Sequence, residues 1–455
     1  MHATTPTAPP TNELQDIFGD RMVTGGAELD RVSRDESRAM PEGAALAAVF
    51  PESTEEVSAA LGWANRHGVK VSVRGTGTGV SGGALAYAGG LVVSLERMNR
   101  IKLIDPVNRL AEVQAGVINA ELDRAAEDHG LFFAPDPASA EISTIGGNIA
   151  TNAGGLRCIS HGVTRDSVAA LEVVLADGSI LRTGARTRKN VVGLDLTSLF
   201  VGSEGTLGVI TSATVRLKPI APGIPRTFRA SFPTVEDAGR AVTAIVNGAQ
   251  TPEVLELLDA RSVQIIEAYK PSGLPEDGCA LLIGQFTGLQ AKQAAGDTAQ
   301  LCREHGAREV VIAEGDSLLE ARRLANPALN AQGLRVSCDV AVPVGELAAV
   351  FRGIEQIAEQ HGRTISVVAH AGDGNLHPTV EAEDTPQGHA AAEVVIGDIT
   401  RLALELGGTI SGEHGIGLVK QAELPWQLDD ATLHAQQMIK YALDRKNILT
   451  PGRGI

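Results

Sequence analysis

Residues 74–83 read Arg74-Gly75-Thr76-Gly77-Thr78-Gly79-Val80-Ser81-Gly82-Gly83. The alternation of Val69, Val71 and Val73 just before them predicts a strand that runs into this loop. Glycine lets a backbone turn sharply and approach a ligand closely. Successive backbone N–H groups in such a loop can cradle a phosphate, and the Thr and Ser hydroxyls add donors. Gly77-x-Gly79-x-x-Gly82 matches the dinucleotide fingerprint in form, but that fingerprint needs a helix next, and residues 84–90 show no helical apolar face. Taken alone, the loop reads equally well as a glycine-rich tight turn.

Two further stretches change the balance. One runs Ser143-Thr144-Ile145-Gly146-Gly147-Asn148-Ile149-Ala150-Thr151-Asn152-Ala153-Gly154-Gly155, after Ala134-Pro135-Asp136-Pro137. The other is Gly202-Ser203-Glu204-Gly205-Thr206-Leu207-Gly208. Both read as strand-flanked loops. Each glycine raises the ordering cost of the chain, so three glycine-dense loops in one domain would be wasteful as mere turns. One extended ligand with a pyrophosphate and hydroxyls would use all of them.

Outward from these loops, residues 1–45 read as irregular and flexible. Ser53 and Glu56 form a capping box, and Val57, Ala60, Leu61 and Ala64 follow at helical spacing, with Gly68 as the stop. Strands are predicted over 91–95, 110–114, 168–175, 180–183 and 209–217, and Asn119 is placed as the cap of a short helix. Pro219, Pro222 and Pro225 mark a boundary. Beyond it, strands such as 227–232 and 280–285 alternate with helices such as 235–248 and 291–305, which suggests helices on an antiparallel sheet. A last helix is placed at 431–443. The divisions are 1–45, 46–222, 223–410 and 411–455.

The chain has 455 residues and a net charge of −16, which repels nucleic acid in the absence of a basic patch. Aromatics are 3%, too few for base-stacking platforms. Four scattered cysteines argue against a disulfide framework or a zinc ribbon. The Thr/Pro-rich start does not look like a signal peptide, and no apolar run approaches the ~18 residues needed to span a bilayer. The expectation is a cytoplasmic protein.

A second constellation carries the chemistry. His370-Ala371-Gly372-Asp373-Gly374-Asn375-Leu376-His377 follows a predicted strand over 365–369. Asp-Gly is a strong type I′ hairpin signal. With Asp373 and Gly374 central, His370 would face His377 across the hairpin, close enough to share a metal ion. Ser411-Gly412-Glu413-His414-Gly415 adds a carboxylate and another imidazole. Two His and one Glu with open positions suit Zn, Mn or Fe in a catalytic role; the alternative is a polar surface hairpin. Arg322 and Arg323 lie on a helical stretch before Pro327. Either could hold a carboxylate by a two-pronged contact, although a solvated helix face reads better for one alone. Cys158 reads as a small buried thiol, and His129 and His161 as structural.

Together these residues resemble a known family. The runs 74–83, 143–157 and 202–211 resemble the flavin-binding domain of the vanillyl-alcohol oxidase type. His370, His377 and Gly412-Glu413-His414-Gly415 resemble the C-terminal half of its D-2-hydroxyacid dehydrogenases, a group that includes D-lactate dehydrogenase (cytochrome), the glycolate oxidase flavin subunit and D-2-hydroxyglutarate dehydrogenase. The resemblance covers about 45–455. It implies an α+β fold: a vanillyl-alcohol-oxidase-type FAD-binding domain over 46–222, an α+β substrate and metal cap with an antiparallel sheet over 223–410, and a C-terminal segment returning to the flavin. It implies FAD contacts from Arg74, Gly75, Thr76, Gly77, Thr78, Gly79 and Gly82, with 75–79 at the pyrophosphate. Pro135, Thr144, Gly147, Asn148, Thr151, Asn152 and Gly155 would line the FAD path, with Glu204 and Ile210 further along it. No His or Cys lies within 74–83, so the FAD is expected to be non-covalent. By the same resemblance His370, His377 and Glu413 are metal ligands, His414 is the catalytic base and Arg322 holds the substrate carboxylate.

The implied reaction is oxidation of a D-lactate-like D-2-hydroxy acid to the 2-oxo acid by hydride transfer to flavin N5. Electrons would leave to a cytochrome, a quinone or an electron-transfer protein, and a homodimer is open to the chain. D-2-hydroxyglutarate enzymes carry a lysine where this chain has Ser337, which removes the cation for a second carboxylate. Thr450-Pro451-Gly452 stands where relatives often have Asn-Pro-Gly. Glycolate or D-2-hydroxyglutarate dehydrogenase, an O₂-using oxidase of the same fold, a non-catalytic flavin-binding module and a flavin-free metallohydrolase are the alternatives.

Overall fold

The computed structural model describes residues 9–275, 278–333 and 335–455. The chain forms two compact units. One comprises 1–153, 163–220 and 414–455; the other comprises 154–162 and 221–413. No helix among the described residues is long and apolar enough to cross a membrane.

The first unit holds two main sheets. In one, Met22–Val23, Ala47–Val49, Leu91–Ser94 and Val71–Arg74 lie in that order, the last three parallel. In the other, all pairs are antiparallel and the order is Ile101–Asp105, Leu110–Gln114, Val209–Arg216, Val168–Val174, Ile180–Gly184. Helix Thr54–His67 starts where the sequence predicts, with the Ser53 side chain accepting the Glu56 N–H; the Glu56 carboxylate accepts from the Glu52 N–H and from Arg21 instead, so the reciprocal half of the capping box does not form. Its Val57, Ala60, Leu61 and Ala64 pack into one core with strand residues Val71, Leu91 and Val93.

Several expectations for this unit are corrected. Residues 1–8 lie outside the described residues, but the rest of the supposedly irregular 1–45 contains helices Asn12–Phe18 and Gly26–Val32. Leu14, Phe18 and Val32 are fully buried, so tertiary packing makes these short helices stable where propensity alone would not. Asn119 is the first residue of helix Asn119–Glu127 rather than its cap, and its amide donates to the Pro135 carbonyl at 3.1 Å. The segment 143–155 is not all loop. Helix Ile145–Thr151 begins at Thr144, whose hydroxyl accepts the Gly147 N–H.

The second unit is a larger antiparallel sheet. Its strand order is Glu309–Glu314, Arg226–Phe232, Ala280–Phe286, Val254–Leu258, Ile365–His370, Asn375–Glu381, Arg335–Ser337. The period of two sorts the strand residues onto two faces. Leu255, Leu257, Val367 and Ala369 pack under helices Val235–Val246, Ala291–Glu304, Leu347–His361 and Pro386–Glu405. Val254, Leu258 and Val368 pack under helices Ala260–Tyr269 and Glu320–Ala331. The helix that carries Arg322 runs through Pro327 instead of ending before it. Cys158 is half-buried at the start of the short helix Cys158–His161, so the buried-thiol reading does not hold.

The hairpin of the second unit is also corrected. Its strands are Ile365–His370 and Asn375–Glu381, and His370 pairs with Asn375 while Val368 pairs with His377. Of Asp373 and Gly374, only Gly374 takes positive φ, at 74°. A type I′ turn needs both. Two successive turns therefore form, with Asp373 N–H bonded to His370 O and Gly374 N–H to Ala371 O, and the connection spends four residues. His370 and His377 still share a face, but as diagonal neighbours.

Candidate active site

The diagonal placement brings the imidazole rings edge to face with centroids 5.2 Å apart. Glu413 meets both. Its Oε1 lies 3.2 Å from His377 Nε2 and 3.5 Å from His370 Nε2. Ligand atoms at ~2 Å around a tetrahedral ion stand about 3.3 Å apart, so the set has the spacing of a metal centre. The donor chemistry, two imidazoles and a carboxylate, fits Zn, Mn or Fe. The three predicted ligands, distant in sequence, are thus brought together.

The supports come from residues that sequence reasoning missed. Glu256 stands directly opposite His370 on the neighbouring strand. It is fully buried, and its Oε1 lies 2.8 Å from His370 Nδ1. Its other oxygen accepts Arg322 Nε at 2.5 Å. Arg322 was expected to face a substrate carboxylate; the structure places it 7% exposed, with its Nε committed to Glu256. Asp339, 1% exposed, accepts from Ser411 Oγ, the Gly412 N–H and the Glu413 N–H at 2.8–2.9 Å, which fixes the loop carrying Glu413. A signal for Glu256 was present: an acid within Val254-Leu255-Glu256-Leu257-Leu258, an otherwise apolar strand, must be paired if it is buried.

The electrostatics follow from burial and proximity. Burial works against charge on His370, but the carboxylates of Glu256 and Glu413 outweigh it and hold its pKa up at about 10. Burial likewise opposes ionisation of Glu413, yet hydrogen bonds and attraction from His370 and His377 hold it well below the usual carboxylate range. The cluster is therefore built to hold positive charge.

The first unit holds most of the residues expected around FAD. Arg74 is buried and donates to the carbonyls of Arg34, Gly75 and Thr76, so it holds the loop in shape from beneath. A Cβ on Gly75 would come within 2.1 Å of Thr144 Oγ1, so glycine is what lets loop and helix cap approach each other. Thr76 Oγ1 donates to the Ile142 carbonyl, and Gly77 and Gly79 accept from the Glu36 N–H. Gly82 lies near Leu418, and Thr78 is partly exposed. On the neighbouring segment, Asn148 Nδ2 and Ser143 Oγ are buried with no hydrogen-bond partner among the described residues. Such groups await a polar ligand, which fits an extended cofactor on this unit. Thr151 bonds back to its own helix, Asn152 caps it in the left-handed conformation and Ile210 sits in the core. Gly155 falls in the second unit. The Glu204 carboxylate accepts the Ile416 and Gly417 N–H groups at 2.8 and 2.7 Å, and burial raises its pKa. His414, next in the chain after Glu413, belongs to the first unit, where its carbonyl accepts from Ser81 Oγ.

Comparison with known proteins finds two family models along the chain. The family model for FAD linked oxidases, C-terminal domain, matches residues 225–453, and that for an FAD binding domain matches 45–184. The chain is 40% identical over 417 residues to the glycolate oxidase subunit GlcD of Bacillus subtilis, covering 90% of this chain and 88% of that protein. It is 40% identical over 414 residues to a D-lactate dehydrogenase of Archaeoglobus fulgidus, covering 89% and 90%. In fold it matches p-cresol methylhydroxylase with a TM-score of 0.80 at 17% identity, covering 98% of this chain and 96% of that one. The vanillyl-alcohol-oxidase-type fold read from the sequence is the fold found. With an FAD binding domain followed by that C-terminal domain, and relatives alike over nine-tenths of its length, the chain belongs to the FAD-linked oxidases, a family of flavin-dependent oxidoreductases.

Proposed function

We propose that this protein is an FAD- and metal-dependent dehydrogenase of a small D-2-hydroxy acid, D-lactate first. The observation that carries the reading is the convergence of His370 Nε2, His377 Nε2 and Glu413 Oε1 in one cluster. The family supplies the flavin, and relatives named D-lactate dehydrogenase and glycolate oxidase support a 2-hydroxy acid. FAD, when bound, takes up the carbinol hydrogen with its electron pair. A divalent cation, when held by His370, His377 and Glu413, lowers the pKa of the substrate hydroxyl.

The chain's own residues do the rest. Arg322 neutralises the substrate carboxylate through its Nη groups, since its Nε is bonded to Glu256. That pairing fixes the orientation of the acid. His414 takes the hydroxyl proton on its imidazole as general base. Two electrons and two hydrogens leave the substrate, one as hydride and one as a proton, and a 2-oxo acid remains. An acceptor such as a cytochrome, a quinone or an electron-transfer protein then reoxidises the enzyme. Ser337 forms a hydroxyl pair with Thr379 at 3.1 Å and offers no cation for a second carboxylate, which supports a short substrate. A second reading, glycolate as substrate, is favoured by the 40% identity to the Bacillus subtilis subunit.

Anaerobic absorbance tests the proposal. The protein is mixed with D-lactate, L-lactate, glycolate or D-2-hydroxyglutarate, with and without a chelator. Bleaching of the flavin band by D-lactate, abolished by the chelator, is expected. A band that none of these acids bleaches overturns it.

A further inference from the structure

Glu256 has a role that its burial alone does not explain. It lies at the centre of strand Val254–Leu258, on the face that helix Glu320–Ala331 covers, directly opposite His370. Both of its oxygens are committed. One lies 2.8 Å from His370 Nδ1 and the other accepts Arg322 Nε at 2.5 Å. An ionised carboxylate only accepts hydrogen bonds. The hydrogen in the first contact therefore sits on His370 Nδ1, and the other ring nitrogen, Nε2, is the one turned toward Glu413. The second contact restrains the guanidinium of Arg322 through its Nε.

We propose that Glu256 is a positioning residue with two outputs: it presents His370 Nε2 to a cation, and it aims Arg322 at the substrate carboxylate. The proposal rests on the reading of His370, His377 and Glu413 as a cation site. A carboxylate behind a ligating imidazole typically contributes about 10–100-fold in metal affinity. A structural ion pair would serve only to neutralise Arg322. The two roles separate because Glu256 acts on His370 whether or not Arg322 is present.

The experiment titrates Zn²⁺ into the metal-stripped, FAD-containing protein by calorimetry. In Glu256→Gln the amide cannot accept from both donors at once, so the dissociation constant for Zn²⁺ is expected to rise about 10–100-fold. In Arg322→Met the contact to His370 survives, so Zn²⁺ affinity stays within about threefold while KM for the hydroxy acid rises. In Glu256→Leu/Arg322→Met no unpaired charge is left in the interior, so this variant folds even where Glu256→Gln does not; its Zn²⁺ affinity falls as in Glu256→Gln. Wild-type affinity in both Glu256 variants, or an equal loss in Arg322→Met, overturns the proposal. A wild-type protein that binds no Zn²⁺ overturns the cation site itself.

Discussion

Asp339 holds Glu413 through the backbone, its Oδ2 accepting the Glu413 N–H at 2.9 Å. The same oxygen accepts the Gly412 N–H and Ser411 Oγ. Asp339→Ala leaves all three donors without their charged acceptor. A stability loss of about 3 kcal/mol or more is expected, and Zn²⁺ affinity should fall with it. Asp339→Asn keeps one oxygen and should lose roughly half as much. Urea unfolding and metal content of the purified variants check both; a wild-type metal content in Asp339→Ala would show that the loop holds Glu413 unaided.

Removing a ligand should separate the two cofactors. Glu413→Gln and His377→Ala are expected to purify yellow, with FAD intact and metal content near zero. Flavin absorbance and elemental analysis on one sample measure the pair. Loss of FAD along with the metal would mean that the second unit is needed to retain the flavin.

His414→Asn should act on turnover. A general base contributes typically about 10²–10⁴-fold, so kcat should drop by that order while KM stays within a few-fold. Steady-state kinetics with D-lactate decide it, and an unchanged kcat removes His414 from the mechanism.

Gly75→Ala pushes a methyl group to 2.1 Å from Thr144 Oγ1. Thr144 must move, and its bond to the Gly147 N–H goes with it. The cap is worth about 1 kcal/mol and the overpacking another 1–3. FAD occupancy at purification should fall together with the melting temperature. Gly79→Ala, whose Cβ meets nothing within 4 Å, is the control and should keep near-normal stability.

The pH dependence of stability should contain a contribution from Asp259. Burial pushes its carboxyl up to about 6, against hydrogen bonds from Ser262 and Val367. The native state then binds this proton more tightly than the unfolded chain, whose aspartate has a pKa near 3.9. Its contribution is full below about pH 4 and is lost as the pH rises through 6. The stability of the wild type relative to Asp259→Asn should therefore be about 2 kcal/mol greater at pH 4.5 than at pH 7. Denaturant curves for both proteins at both pH values measure it, and a flat difference refutes the assignment.

What could be read in advance followed local physics. Ser53 and Glu56 announce a helix because capping is a contact within four residues. That His370, His377 and Glu413 would converge was legible because such donors in glycine-framed turns point to one cluster, and the structure brings the three together. The register between the two histidines was not legible. It depended on whether Asp373 would take positive φ beside Gly374 and on a contact distant in sequence, in which the Val342 N–H donates to the Gly374 carbonyl. Helix Ile145–Thr151 was hidden by Gly146 and Gly147, which lower helix propensity. Gly146 is there because a Cβ would meet Ala115 at 2.5 Å, a tertiary reason no local rule contains. Glu256 gave a signal of its own, but its partners lie 114 and 66 residues away in sequence.

The pairing of the first sheet has a consequence for synthesis. Strand Val71–Arg74 lies at its edge, next to Leu91–Ser94. Its other side is covered by the distant end of the chain: the Val71 N–H bonds to the Ile448 carbonyl at 2.7 Å, and the Thr450 N–H to Val71 at 2.9 Å. At roughly 5–20 residues per second, the ribosome delivers that cover some 20–75 s after Val71 has emerged. Throughout that interval the nascent protein carries a strand edge with unpaired N–H and C=O groups, the kind of surface that recruits stray strands. How long that edge stays unpaired during synthesis is set by where the chain returns, because its cover at Val71 comes from residues 448–450.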